Sequence, residues 1–111
     1  ERKKAGLTEL TWDDTVATAA MTRSKEIEKS FSHTRPDGRN FGTAITDLGI
    51  TYRGAGENIA WGQKTPEAVM NAWMNSEGHR ANILNPNFKK LGVGYRTDSQ
   101  RTPYWTQLFT Y

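Results

Sequence analysis

Two runs at the C-terminal end, "KKLGVGYRTD" and "PYWTQLFTY", alternate apolar and polar side chains, the period of a strand rather than a helix. A polar stretch near Ser99-Gln100 separates them, so they read as a pair of antiparallel strands closing the chain. No other feature constrains the fold as much, because two strands alone are marginal in water and must be covered by what precedes them. Along the last strand, Tyr104, Thr106, Leu108 and Thr110 share one face; Trp105, Gln107, Phe109 and Tyr111 share the other. A glutamine set among aromatic rings needs a partner if buried.

The covering elements are helical. "TWDDTVATAAMTRSKEIEK" pairs Thr11 with Asp14 as a capping box, and Trp12, Val16, Ala19, Ala20 and Ile27 recur at helical spacing; the pattern predicts a helix over 12–28. After the turn at Pro36-Asp37-Gly38, a shorter helix is expected over 40–48, with Phe41, Ile45 and Leu48 on one face and Gly49 ending it. "ITYRGAGENIAWG" reads as a short strand interrupted by close backbone approaches at its glycines. "TPEAVMNAWMNSEG" carries Thr65 as cap, Pro66 at the first position, Glu67 in the first turn and Gly78 at the exit. Val69, Met70 and Trp73 form its buried face, and "ANIL" is a further turn before Asn85-Pro86. Helices, a glycine-rich strand and a closing strand pair make an α+β pattern. The helices at 12–28 and 66–76 are expected on opposite faces of an antiparallel sheet.

At 111 residues the chain is one domain with room for a real core, and four Trp, four Tyr and four Phe argue against disorder. All four tryptophans fall in patterned elements and read as core. Zero cysteines exclude disulfides, thiolate nucleophiles and cysteine-ligated metals, though not secretion. A net charge of +3 is too sparse for a nucleic-acid footprint; it reads as solubility, with a weak pull on anionic polymers such as a cell wall. No stretch approaches the roughly 20 apolar residues of a membrane span. The opening "ERKKAGL" lacks a signal-peptide apolar region and reads as the start of a mature fragment.

Chemistry concentrates in the breaks. No GxSxG elbow, HExxH, Walker loop or EF-hand loop is present, and "GAGENI" fails as a dinucleotide loop because Glu57 would repel a phosphate. There remain His33 in "FSHT", Glu57 in "GENI", and Glu77 and His79 in "SEGHR". Two imidazoles and two carboxylates suit a nitrogen/oxygen metal site or a general acid–base pair. Each has a plainer reading. His33 caps a turn, Glu57 binds backbone amides, Glu77 is a solvated helix-end acid, and Gly78, His79 and Arg80 form a helix C-cap. Asn58 is suited to locking the loop beside Glu57.

In order, "FSH", "GENIAWG", "AVMNAWMNSEGHRANILNPNFKKLGVGY" and "YWTQLF" resemble the CAP superfamily of cysteine-rich secretory proteins, antigen 5 and pathogenesis-related 1 proteins, from about Gly6 to Tyr111. The cysteine-free form with "GHRANIL" is similar to the bacterial, secreted branch. The resemblance implies a single domain over 1–111: a three-layer α-β-α sandwich with a small antiparallel sheet. It also implies an open cleft lined by two histidines and two acids, which hold a divalent metal in some members. His33 matches the family's "FxH" histidine and Glu57 its "GEN" acid. Where eukaryotic members place the second acid, three residues after the helix tryptophan, this chain has Ser76; Glu77 lies one step on, about 100° around a helix. Where they place a strand histidine, "PYWTQ" presents Tyr104, and His79 supplies a replacement imidazole.

The implied site is therefore His33, Glu57 and His79, as catalytic or metal residues, with Asn58, Glu77, Tyr104 and Gln107 as further cleft residues. A divalent cation such as zinc would be weakly held by so few ligands. The implied protein is a secreted or cell-envelope monomer that binds a peptide, lipid or cell-wall ligand in its cleft. The alternative is a peptidase-like hydrolase, metal-assisted or using Glu57 as general base with a histidine.

Overall fold

In this computed structural model, which describes residues 1–111, the elements run β1 (Thr11–Trp12), α1 (Asp14–Lys29), α2 (Thr43–Thr46), β2 (Ala55–Trp61), α3 (Pro66–Met74), α4 (Glu77–Ile83), β3 (Lys90–Thr97) and β4 (Pro103–Thr110). The closing pair forms as the alternation requires, antiparallel from Lys90 opposite Thr110 to Thr97 opposite Pro103. β2 pairs antiparallel with the other side of β4, giving the order β1-β3-β4-β2. The sheet is not wholly antiparallel as expected, because the two residues of β1 add to β3 in parallel.

Both faces are covered. Leu108 of β4 packs with Val16, Ala19 and Ala20 of α1 and with Ala44 and Ile45 of α2. Its neighbours Trp105 and Phe109 point the other way, into Val69, Trp73, Ile83 and Phe88. Successive strand side chains alternate sides, so α1 and α3 lie on opposite faces and the α-β-α sandwich holds.

Local differences have local causes. The cap of α1 is Asp13, whose side chain accepts from the Thr15 and Val16 amides, so the helix starts at Asp14 and not through a Thr11–Asp14 box. Trp12 falls in β1 and is 54% exposed; Trp61, at the end of β2, is 57% exposed. Neither is core. The second helix is a single turn, because Asn40 Oδ1 takes the Gly42 amide in a local turn that competes with helix. Gly49 ends that region at φ +85° as expected, while Leu48 is left exposed. β2 is continuous over seven residues: Phe88 crowds Gly56 from above, but the ladder with β4 is unbroken.

The largest change concerns "NSEGHR". α3 ends at Met74, Ser76 is extended, and α4 begins at Glu77 and absorbs "ANI". Gly78 therefore sits in the first turn of a new helix with an ordinary negative φ, not at an exit. The C-cap reading of His79 and Arg80 falls with it. The far end of α4 is held by Arg2, which donates to the carbonyls of Ile83 (2.9 Å) and Asn85 (2.8 Å). One charge of "ERKK" is thus a buried brace.

α1 lies unusually close to β3. A Cβ built on Gly92 would sit 2.2 Å from the Ala17 amide nitrogen and 2.3 Å from the Val16 carbonyl carbon. Backbone cannot swing aside as a side chain can, so Gly92→Ala is expected to destabilise by about 3 kcal/mol, the upper part of the overpacking range. Gly78→Ala meets no atom within 4 Å and is expected to be neutral or stabilising by up to about 1 kcal/mol. Urea unfolding of both variants checks the contrast.

Candidate functional site

A cleft of about 490 Å³ opens across the outer edge of β2. His33, on the loop after α1, stands on one side; Ser76 and His79, from the start of α4, stand on the other; Trp73 and Trp61 contribute walls. The structure thus brings both histidines to one cavity.

Glu57 is beneath them. Being at an odd position of β2, it points to the α1 face, where its side chain is fully inaccessible. Arg23 of α1 meets it there, itself 0% exposed. The guanidinium donates from Nε to Glu57 Oε2 (2.6 Å) and from Nη2 to Oε1 (3.1 Å), a two-pronged pair. His33 Nδ1 lies 2.8 Å from the same Oε1. A carboxylate already paired with a guanidinium only accepts, so His33 carries its proton on Nδ1 and presents Nε2 outward. The site residue that sequence reasoning missed is therefore Arg23. Its signal was present: it lies on the buried stripe of α1 with Val16, Ala19, Ala20, Ser24 and Ile27.

The pair extends into a network. Arg23 Nη1 donates to Glu26 (2.9 Å), and Arg35, 9% exposed, donates to both Glu26 oxygens. Burial pushes the Glu26 carboxyl up, but Arg35 and Arg23 outweigh it and hold it below its ordinary value. The alternation Arg35–Glu26–Arg23–Glu57–His33 leaves no isolated buried charge.

On the other side, His79 Nδ1 is 2.8 Å from Ser76 Oγ. Burial, and then the nearby charge of His33, lower the His79 pKa below its ordinary 6.5, so the ring stays neutral at neutral pH. Asn58, fully buried in β2, donates to the His79 carbonyl (3.1 Å) and to Gln107 Oε1 (3.0 Å), and accepts from Asn82 Nδ2 (2.9 Å). Asn58 thus fastens the turn carrying His79 to the sheet, instead of locking a loop beside Glu57. Gln107 finds its partners in Asn58 and, at 3.5 Å, in Met70 Sδ.

The remaining expected cleft residues are elsewhere. Glu77 is exposed at the start of α4, where an acid complements the helix dipole; Ser76, not Glu77, faces the cleft. Tyr104 points away from it and donates to Asp98 (3.3 Å). Asn58 and Gln107 support the site without lining it.

The three-ligand set of His33, Glu57 and His79 does not form. Both Glu57 oxygens are committed, and no group of three or more His, Asp or Glu side chains is gathered as a metal site. Two imidazoles remain, Glu57 acting on His33 from behind as an orienting carboxylate. Two nitrogens are too few for a closed zinc site.

Comparison with known proteins points one way. The family model described as CAP, the cysteine-rich secretory protein family, matches residues 1–109. The Bacillus subtilis protein YkwD is 48% identical over 98% of this chain. A crystal structure of an extracellular protein containing an SCP domain from Bacillus anthracis superposes with a TM-score of 0.89 at 35% identity, covering 98% of this chain and 36% of that one. An outer surface protein from Borrelia burgdorferi does so at 0.88 and 25% identity, covering 98% and 82% respectively. The chain spans 42% of the length of YkwD.

Proposed function

The chain belongs to the cysteine-rich secretory protein (CAP) family, and on that premise we propose that it is a secreted or cell-envelope binding module holding its ligand between His33 and His79. The observation that carries this reading is the commitment of Glu57. An acid with a fully inaccessible side chain, both oxygens paired, is a scaffold for His33 and not a general base for a water. What faces the cleft is a set of hydrogen-bonding groups, with no Lys, Arg, Asp or Glu among them, between aromatic walls, the make-up of a recognition site. Location outside the membrane barrier is supported by the descriptions of the Bacillus anthracis protein as extracellular and the Borrelia protein as outer surface. No helix is long and apolar enough to cross a membrane.

The ligand is a peptide, a lipid or a wall polymer, and a divalent cation such as zinc is an accessory held by His33 and His79. Calorimetric titration of zinc should give one weak site, lost in His33→Ala and in His79→Ala with folding nearly intact and unchanged in Glu77→Ala. Protons compete for the same nitrogens. Because the folded His79 titrates below 6.5, its share of the pH-dependent loss sets in below that value. No zinc binding at millimolar metal would leave a metal-free polar cleft. Shifts of the His33, Trp61 and His79 amide signals on adding peptide mixtures, lipid vesicles or wall fragments test the cleft itself; shifts confined to other surfaces would refute it.

One contact favours a second reading. Ser76 Oγ and the neutral His79 form a hydroxyl–imidazole pair in the cleft, the minimal arrangement for a nucleophile and its base. A hydrolase of this kind would cleave members of a broad peptide library and be labelled by a fluorophosphonate only when Ser76 is present. The absence of both cleavage and labelling in the wild type would remove this reading.

A further inference from the structure

β2 is the outermost strand of the sheet, and its free edge runs along the cleft. Gly54 and Tyr111 exchange both backbone hydrogen bonds, which sets the phase of the ladder. Gly56, Asn58 and Ala60 therefore turn their backbone groups toward β4, and Glu57, Ile59 and Trp61 turn theirs outward. Two outward carbonyls are occupied: that of Glu57 accepts from Asn82 Nδ2 (3.2 Å), and that of Ile59 from Trp73 Nε1 (3.3 Å). The Ile59 N–H and both backbone groups of Trp61 have no partner in the chain. A second, independent observation lies beside them. Gln63, on the same cleft wall, carries the one buried side-chain polar atom without a hydrogen bond, its Oε1.

We infer that the cleft takes an extended peptide segment, laid beside β2 as an added strand and held through main-chain hydrogen bonds to Ile59, Trp61 and the Gln63 amide. This rests on the binding-cleft reading and narrows its three ligand classes to one. Free groups on alternate residues of a strand recur every two residues, about 6.6–6.8 Å, which is the repeat of an extended peptide and of no lipid. No Lys, Arg, Asp or Glu lines the cleft, so it offers nothing to neutralise a phosphate headgroup or an anionic wall polymer. β2 carries no proline, and its one charge, Glu57, is turned inward and paired with Arg23, so no charged side chain stands on the cleft side of the edge. Side chains of the added strand would alternate between Phe31 and His33 on the α1 face and Trp73 and Ser76 on the α3 face. That alternation gives two separate walls on which sequence preference can act.

The test begins with a random hexapeptide library screened against the 111-residue chain. The tightest peptide is then titrated into ¹⁵N-labelled protein beside two analogues, N-methylated at its odd or at its even residues. Shifts at Ile59, Trp61 and Gln63, with slowed exchange of the Ile59 and Trp61 amides, are expected. One N-methyl register should weaken binding at least about tenfold, the equivalent of one lost hydrogen bond, and the other should leave it nearly unchanged. Gln63→Leu should weaken the parent peptide while leaving the thermal midpoint in place. Equal tolerance of both N-methyl registers, or shifts away from β2, would overturn the inference. So would neutral wall saccharides or lipid vesicles shifting the cleft signals where no peptide does, although the binding-cleft reading would then survive. If nothing tested shifts the cleft signals, both fail together.

Discussion

Replacing Arg23 with alanine is expected to cost about 3–5 kcal/mol, the loss typical of a buried ion pair deprived of one partner. The guanidinium is wholly buried and serves Glu57, Glu26 and the Ser32 carbonyl at once. Its removal leaves the inaccessible Glu57 facing only a half-exposed histidine. Urea unfolding should show a lower midpoint at an unchanged slope. Arg23→Lys should recover part of the loss, since a single ammonium keeps the charge but not the fork. The network also sets an acid response. The folded pKa of Glu26 lies below its ordinary 4.5, so its contribution is complete above that value and is lost as pH falls through the folded pKa. Without Arg23 that acid loss should shrink. A cost below about 1 kcal/mol for Arg23→Ala would mean that water reaches the pair and that Glu57 is freer than its geometry shows.

The same residues show how far the sequence could be read. Period two in "KKLGVGYRTD" and "PYWTQLFTY" and the Thr65-Pro66 start of α3 gave elements that survive in the structure, because alternation and capping are local properties of the chain. Trp12 and Trp61 lie outside the core that their pattern suggests, because patterning says that a residue lies in an element, not that the element's end is covered. Gly78 opens α4 instead of ending α3, because a glycine before His-Arg serves equally as the exit of one helix or the first turn of the next. Only the extended backbone at Ser76 distinguishes the two. His33, Glu57 and His79 were legible as a set, yet their division of labour was not. Glu57 turns from ligand to scaffold through Arg23, 34 residues away in the chain, and Arg2 becomes a brace for α4 through partners 81 and 83 residues away. The buried stripe of α1 marks Arg23 as inward-facing, but which carboxylate or carbonyl an arginine meets at that range leaves no periodic trace.

Truncating Trp73 to alanine is expected to cost about 3–5 kcal/mol, the range for deleting a buried aromatic side chain. The ring is 3% exposed and packs in the cluster of Val69, Ile83, Phe88, Trp105 and Phe109 that joins α3 and α4 to the sheet. Its loss removes part of the cleft wall and leaves a cavity that the backbone of β2, tied to β4 over seven residues, cannot collapse to fill. Trp73→Phe separates packing from polarity: most of the contact area stays, while the Ile59 carbonyl loses its Nε1 donor. That variant should lose about 1 kcal/mol, because water entering from the cleft replaces the bond. Trp61→Ala, at the exposed end of the same strand, should cost less than about 1 kcal/mol. Thermal and urea unfolding of the three variants should therefore rank them Trp73→Ala, Trp73→Phe, Trp61→Ala in decreasing loss. Equal losses from the two alanine variants would mean that Trp61 is packed in solution, which would close the edge of β2 and the cleft with it.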